Sequence, residues 1–120
     1  ETRRLAGAAP DADLPECARA LASLGCKYVL VTGTHEAGAE VVNTLYDARG
    51  VVREDRWRRL PGSYHGSGCT LASALAAMLA RGLEVPEAAQ AAQAYTWKTL
   101  EAGFQPGHGQ YLPDRFFESK

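Results

Sequence analysis

Apolar residues recur at helical spacing in the first quarter of the chain. They lie three or four positions apart, on what would be one helical face: Leu14, Cys17, Leu21 and Leu24. Pro15 suits the first turn of such a helix, and Gly25 suits its end. The pattern predicts an amphipathic helix that ends at Gly25, and residues 1–9 predict the end of another helical segment.

β-rich runs follow this helix. Residues 27–32 are almost continuously apolar, which is typical of a strand buried on both faces, as in a parallel sheet. Residues 41–47 and 51–60 flank a tight turn at 48–50, and they predict an antiparallel hairpin. A helix followed by a buried strand is half of a βαβ unit, so the predicted fold class is α/β.

The second half of the chain predicts two further helices. Residues 69–81 are apolar on nearly every face and mostly small, which predicts a central, closely packed helix ending at Gly82. A helix from Pro86 to about Gly103 has an apolar stripe opposite polar residues. Residues 103–113 form a predicted glycine-rich loop.

The junction before the first of these helices carries the candidate chemistry. Residues 65–70 read HGSGCT, so two glycines flank Ser67 directly before Cys69 and the helix. Such a loop can turn its amides toward one point, and the helix adds unpaired N–H groups and the positive end of its dipole. The stretch therefore predicts a site for an anion such as phosphate, with Cys69 where a thiol is most easily ionised.

A plainer interpretation is a loop-to-helix junction in which the glycines turn the chain and Thr70 or Ser67 caps the helix. Two common phosphate-binding motifs are excluded. The Walker A motif requires Lys where Cys69 stands, and the dinucleotide fingerprint requires Gly or Ala where Leu71 stands.

Composition narrows the functional classes. The length of 120 residues argues for one modest domain. The net charge of −1 argues against a nucleic-acid or membrane-surface role. Three cysteines without a Cys-x-x-Cys pair fit a reducing cytoplasm, with Cys17 and Cys26 as small core residues. No apolar run is long enough to span a membrane, no signal peptide is predicted, and no metal-ligand cluster is visible.

Several segments resemble the hydroxymethylpyrimidine/phosphomethylpyrimidine kinases, which are thiamine-biosynthesis members of the ribokinase-like superfamily. HGSGCT and its alanine-rich helix resemble the family signature near the carboxyl end. In the same order as in the family, similar segments occur at residues 1–7, 29–35 and 107–110. Most superfamily members have Asp where Cys69 stands; Cys there is typical of the pyrimidine kinases and of some pyridoxal kinases.

The resemblance implies an α/β, ribokinase-like fold with a doubly wound, mostly parallel sheet. Residues 1–120 would form the carboxyl-terminal part of a single kinase domain. The implied activity is ATP- and Mg²⁺-dependent phosphorylation of 4-amino-5-hydroxymethyl-2-methylpyrimidine and its monophosphate. The implied enzyme is cytoplasmic and homodimeric, acts on small molecules rather than nucleic acid or membranes, and needs more than this chain for activity.

The resemblance also assigns roles to individual residues. Cys69 would be the catalytic base, and the amides of residues 66–69 would form the anion hole. The implied neighbours of the nucleotide are Thr32, Gly33, Thr34, His35 and His108. Glu1 would close an Asn-x-x-Glu motif that supports Mg²⁺ indirectly. Apart from the resemblance, a lone histidine is more often structural, so we expect His65 to orient the loop rather than to act in acid–base chemistry. Thr32 replaces a lysine found in many relatives.

Three other functions remain open at this point. A pyridoxal-type kinase of the same superfamily could use the same Cys loop. A non-catalytic fragment could bind nucleotide or a partner, because the isolated chain would leave a sheet edge and an apolar face exposed. A cysteine hydrolase has little support, since no oriented His or Asn partner for Cys69 is recognisable.

Overall fold

The computed structural model describes residues 1–9, 11–33 and 38–119. The chain forms two compact units, Glu1–Arg58 and Arg59–Lys120. The first unit is helix and sheet, and the second is built mainly from two helices. The predicted α/β character is therefore confirmed.

The first unit packs helix against an antiparallel sheet. Its order is α1 (Thr2–Leu5), α2 (Leu14–Ser23), β1 (Val29–Val31), β2 (Glu40–Asp47) and β3 (Gly50–Arg58). The sheet order is β1-β2-β3, with Leu30 opposite Leu45 and Val42 opposite Arg56. Ala18 of α2 packs on Val31 and Tyr46, which makes this the core of the unit.

The hairpin prediction is confirmed by β2 and β3, whereas the parallel setting predicted for residues 27–32 is not found in the described part of the chain. There β1 pairs antiparallel with β2. Val29 and Leu30 are only half-buried, and Val31 is buried. An apolar run reports burial but not the direction of the neighbouring strand, and within the described residues the neighbour of β1 is the antiparallel β2.

Burial of Tyr46 has an electrostatic consequence. Its side chain lies in the core and is 6% exposed. Loss of hydration raises the pKa of the Tyr46 phenol above its ordinary value of 10.0, partly offset by a hydrogen bond with Thr44. The neutral phenol is therefore the form that the folded unit favours.

The second unit consists of α3 (Ser67–Ala80), α4 (Val85–Glu101) and a 3₁₀ turn (Phe117–Ser119). Helices α3 and α4 pack together, and α4 buries mostly small side chains: Ala88, Ala89, Ala92, Gln93, Thr96 and Thr99. Small residues let two helix backbones approach closely. Isolated bridges join Tyr64 to Tyr111 in parallel and Phe104 to Leu112 in antiparallel orientation.

Two burial predictions are wrong for the chain as described. Helix α3 buries only Thr70 and Ala74, and Leu79 is 42% exposed, so α3 is not enclosed as expected. Cys17 is buried as predicted, but Cys26 is exposed because it lies in the loop after α2. No helix of the described residues combines the length and hydrophobicity needed to cross a bilayer.

Candidate anion-binding site

The start of α3 has a glycine as its N-cap. Gly66 adopts φ 92° and ψ 5°, a left-handed conformation that side chains disfavour. The first intrahelical bond runs from the Thr70 amide to the Gly66 carbonyl at 3.0 Å. The chain therefore turns sharply into the helix at the position where the sequence predicts the anion loop.

The amides of Ser67, Gly68 and Cys69 precede that first bond and point out of the helix end. No side chain caps them, and no described residue accepts a hydrogen bond from them. The capping role considered for Thr70 is not observed, since its hydroxyl donates to the Gly66 carbonyl at 2.8 Å. The helix end thus offers free donors and a positive dipole to an anion.

Cys69 lies in the first turn of α3, and its side chain is exposed rather than packed in hydrocarbon. Negative charge is favoured at this end of a helix. A thiolate here would be accessible to a small molecule bound at the free amides. The geometry therefore leaves the Cys69 thiol accessible at the helix end, as its predicted role requires.

The carboxyl-terminal segment lies against this helix end. The Nε of Arg115 donates to the hydroxyl of Thr70 at 3.0 Å, and Thr70 is only 3% exposed. A methyl group added to Gly66 would lie 3.0 Å from the Nη2 of Arg115. The guanidinium therefore occupies the space directly beside the N-cap.

Helix α4 holds the backbone around Arg115. The Tyr95 hydroxyl donates to the Arg115 carbonyl at 2.8 Å, and the Asp114 amide donates to the Thr99 carbonyl at 2.9 Å. The Phe116 amide donates to the Asp114 carboxylate at 3.1 Å. These bonds fix the segment on both sides of the arginine.

The residues before the loop are fixed in a similar way. The His65 amide donates to the Tyr111 carbonyl at 3.0 Å, and the Tyr111 amide donates to the Ser63 carbonyl at 2.8 Å. The rings of Tyr64 and Tyr111 are 5.8 Å apart, and burial raises the pKa of the Tyr64 phenol, with a smaller contribution from Tyr111. His65 is exposed, so its visible contribution to positioning the loop is through its backbone.

The predicted neighbours of the nucleotide in the first unit are described in part. Thr32 is exposed and Gly33 is buried, whereas Thr34 and His35 lie outside the described residues. The Gly33 amide donates to the Asn43 side-chain oxygen at 3.0 Å. A cavity of about 170 Å³ adjoins Gly33, Val31 and Val42. Gly33 therefore has a structural role, and its amide is already hydrogen-bonded to Asn43.

The remaining predicted residues are exposed. His108 lies in the loop after α4, and Glu1 is the N-cap of α1. The described residues contain no group of three or more His, Cys, Asp or Glu side chains that could hold a metal ion. Glu1 remains a predicted carboxylate for indirect support of Mg²⁺.

Sequence reasoning missed Arg115. It lies 45 residues after Thr70 and belongs to no motif with a defined spacing. The only local signal is a basic residue just after Pro113 and Asp114, which does not indicate a partner. The contact is created by the path of the segment that follows α4.

Comparison with known proteins assigns the chain to a family. The sequence profile of the family described as Phosphomethylpyrimidine kinase matches residues 1–114. The chain belongs to that family. The match includes the anion loop, α4 and most of the segment that leads to Arg115.

Curated relatives agree with this assignment. The chain is 39% identical over 115 residues to the hydroxymethylpyrimidine/phosphomethylpyrimidine kinase of Streptomyces coelicolor, covering 91% of this chain and 41% of the relative. It is 37% identical over 114 residues to the thiamine biosynthesis bifunctional protein ThiED of Geobacter sulfurreducens, covering 91% and 23%. The chain thus spans well under half the length of these relatives.

A solved structure shows the same fold. The ADP complex of Bacillus subtilis pyridoxal kinase superposes with a TM-score of 0.81 and 26% identity. The superposition covers 100% of this chain and 48% of that kinase. The fold is therefore the ribokinase-like α/β fold that the resemblance implied, represented here by part of its length.

Proposed function

We propose that the protein carrying this chain is an ATP-dependent kinase that phosphorylates 4-amino-5-hydroxymethyl-2-methylpyrimidine and its monophosphate in thiamine biosynthesis. The observation that carries the proposal is the start of α3. Its first three amides, those of Ser67, Gly68 and Cys69, donate to none of the described residues and share one helical turn with an exposed thiol. Family membership supports the proposed substrate class, because the named relatives are kinases of this kind.

In this mechanism the amides bind the transferring phosphoryl group. The acceptor hydroxyl oxygen forms a bond to the γ-phosphorus, the bond to the ADP oxygen breaks, and the hydroxyl proton passes to the Cys69 thiolate. Phosphoryl transfer depends mainly on positioning and on stabilising charge, and preorganised amides do both. The helix dipole favours the negative charge of the phosphoryl oxygens.

Nucleotide and metal binding complete the proposal. The related kinase that was crystallised with ADP supports nucleotide use, and we assign Thr32, Gly33, Thr34, His35 and His108 as neighbours of ATP. Mg²⁺ neutralises phosphate charge when bound. Because the described part of the chain has no metal cage, phosphates and water would hold it, with Glu1 as a more distant carboxylate.

The organisation of the whole protein follows from the same proposal. One family profile spans both compact units, which supports a single ribokinase-like kinase domain of which this chain is the carboxyl-terminal part. A cytoplasmic homodimer acting on small molecules is the corresponding cellular form. We expect this chain alone to be inactive.

Replacement of Cys69 tests the catalytic assignment. In the protein expressed from its complete reading frame, we expect Cys69→Ala to lower turnover about 10²- to 10⁴-fold, the usual contribution of a positioned base. The measurement is ADP release with hydroxymethylpyrimidine as acceptor. Cys26→Ala is the matched control, since Cys26 is also an exposed thiol but lies outside the loop. Undiminished turnover of Cys69→Ala would overturn the role of the thiol.

A pyridoxal-type kinase is the second candidate, favoured by the superposition on the Bacillus subtilis enzyme. The two candidates differ in the acceptor and share the anion site. Comparing kcat/KM for pyridoxal and for hydroxymethylpyrimidine distinguishes them. Nucleotide binding with no transfer to either acceptor would instead favour a non-catalytic binding protein.

A further inference from the structure

We propose that Arg115 contacts the phosphoryl group bound at the start of α3, as the cationic side chain of the anion site. The inference rests on the proposed function, and it adds a residue that the motif does not contain. The Arg115 Nε is bonded to the Thr70 hydroxyl, and its Nη2 lies beside Gly66. Both neighbours belong to the turn that presents the free amides.

The position of this charge is unfavourable without an anion. The amino-terminal end of a helix carries a partial positive charge, so a cation placed there is repelled. Within the described ranges, no carboxylate forms an ion pair with the Arg115 guanidinium. A bound phosphoryl group would be attracted both to the guanidinium and to the helix end, and these two attractions would offset the repulsion between them.

The contacts of Arg115 leave it suited to such a group. Guanidinium has five N–H donors in a planar fork that matches phosphate oxygens, and the bond to Thr70 uses only the one on Nε. The Thr70 hydroxyl is itself fixed, because it donates to the Gly66 carbonyl while accepting from Arg115. The terminal nitrogens are therefore held near the N-cap.

Hydrogen bonds to the backbone around Arg115 indicate that this arginine is not an incidental surface residue. Its carbonyl accepts from Tyr95, and the preceding amide is bonded to α4. An arginine with a fixed backbone and a fixed Nε loses little conformational entropy when its remaining donors bind an anion. This preorganisation is typical of a binding residue.

The test measures phosphate contact directly. In the protein from its complete reading frame, Arg115→Met should weaken binding of AMP-PCP about tenfold relative to ADP, since a charge-assisted hydrogen bond is lost only with the third phosphate. Turnover should fall on the order of 100-fold, as for loss of one donor to a developing oxyanion. Arg115→Lys should recover part of both losses because it keeps the charge.

Arg81→Met is the matched control. Arg81 is an exposed arginine at the C-cap of the same helix, so its loss should change neither the AMP-PCP to ADP affinity ratio nor turnover. Thr70→Val provides a second variant that keeps the arginine but removes its Nε partner. A smaller loss in the same direction is expected from it.

The possible outcomes separate this inference from the proposed function. A loss confined to the phosphorylated acceptor, with the AMP-PCP to ADP affinity ratio unchanged, would overturn the inference, because Arg115 would then contact the phosphate of the acceptor and not the transferring phosphoryl group. An unchanged affinity ratio in Arg115→Met, with only a lower melting temperature, would overturn the inference and leave the kinase assignment intact. Because the affinity ratio needs no catalysis, it decides the inference even if the wild type transfers no phosphate.

Discussion

Gly33 in the first unit and Gly66 in the second were both predicted as site residues, yet the structure uses them differently. Gly33 is buried, its amide is bonded to Asn43, and its lack of a side chain lets β2 approach. Gly66 has a left-handed backbone and is followed by three amides that no described residue accepts from. Gly33 is thus required for packing within the first unit, whereas Gly66 leaves the amides that follow it available to a ligand.

The difference shows how to weigh a glycine near a candidate site. A glycine required by close packing has its neighbourhood filled, so its presence alone says little about ligands. A glycine required by a positive φ at a helix start can leave the following amides unbonded, and this arrangement is what an anion needs. The structural evidence for a ligand site is therefore stronger at α3 than at Gly33.

Gly33→Ala should produce the largest stability change. Its new methyl group would overlap the Val42 carbonyl oxygen, and backbone cannot move aside as a flexible side chain can. We expect a loss of about 1–3 kcal/mol in the free energy of unfolding, measured by denaturant titration. Gly107→Ala is the control, since nothing lies within 4 Å of the added carbon. Equal stability of the two variants would contradict the packing role of Gly33.

Gly66→Ala should have a smaller effect on stability and a separate effect on the site. The left-handed backbone costs a non-glycine residue about 1–2 kcal/mol, and the methyl group would displace the Arg115 guanidinium. Gly68→Ala is the matched control: it has ordinary φ and open space, so it should stabilise α3 by up to about 1 kcal/mol. Destabilisation by both variants alike would argue against special geometry at Gly66.

Tyr46 gives the smallest predicted effect, visible only at alkaline pH. Burial raises its folded pKa above the unfolded value of 10.0, so the unfolded chain loses the phenolic proton first. The corresponding stability is fully present below pH 10 and is lost as pH rises through the folded pKa. Tyr46→Phe should flatten this alkaline decline in melting temperature. An equally steep decline in the variant would show that Tyr46 does not contribute to it.

Much of the local structure could be predicted from the sequence. The hairpin at β2 and β3 and the helix after HGSGCT follow from alternation, turn residues and glycine placement, and their ends differ from the prediction by one or two residues. The antiparallel partner of β1 could not be predicted, because an apolar run has no direction. Exposure of Cys26 was missed because a single small residue carries no periodic signal.

The site was predictable only as far as its motif extends. The anion loop is contiguous in sequence, so its glycines and the following helix reveal it. Arg115 joins it through a hydrogen bond across 45 residues, and that contact depends on how the segment after α4 folds back. Tertiary contacts of this kind leave no trace in local spacing.

The proposed kinase activity depends on phosphate binding by the amides at the start of α3. Titrating the complete protein with AMP-PCP while following backbone amide chemical shifts by NMR tests it most directly. We expect saturable shifts at Ser67, Gly68 and Cys69, with amides in the middle of α4 nearly unchanged. Nucleotide binding that leaves these three amides unshifted would show that the start of α3 does not bind phosphate.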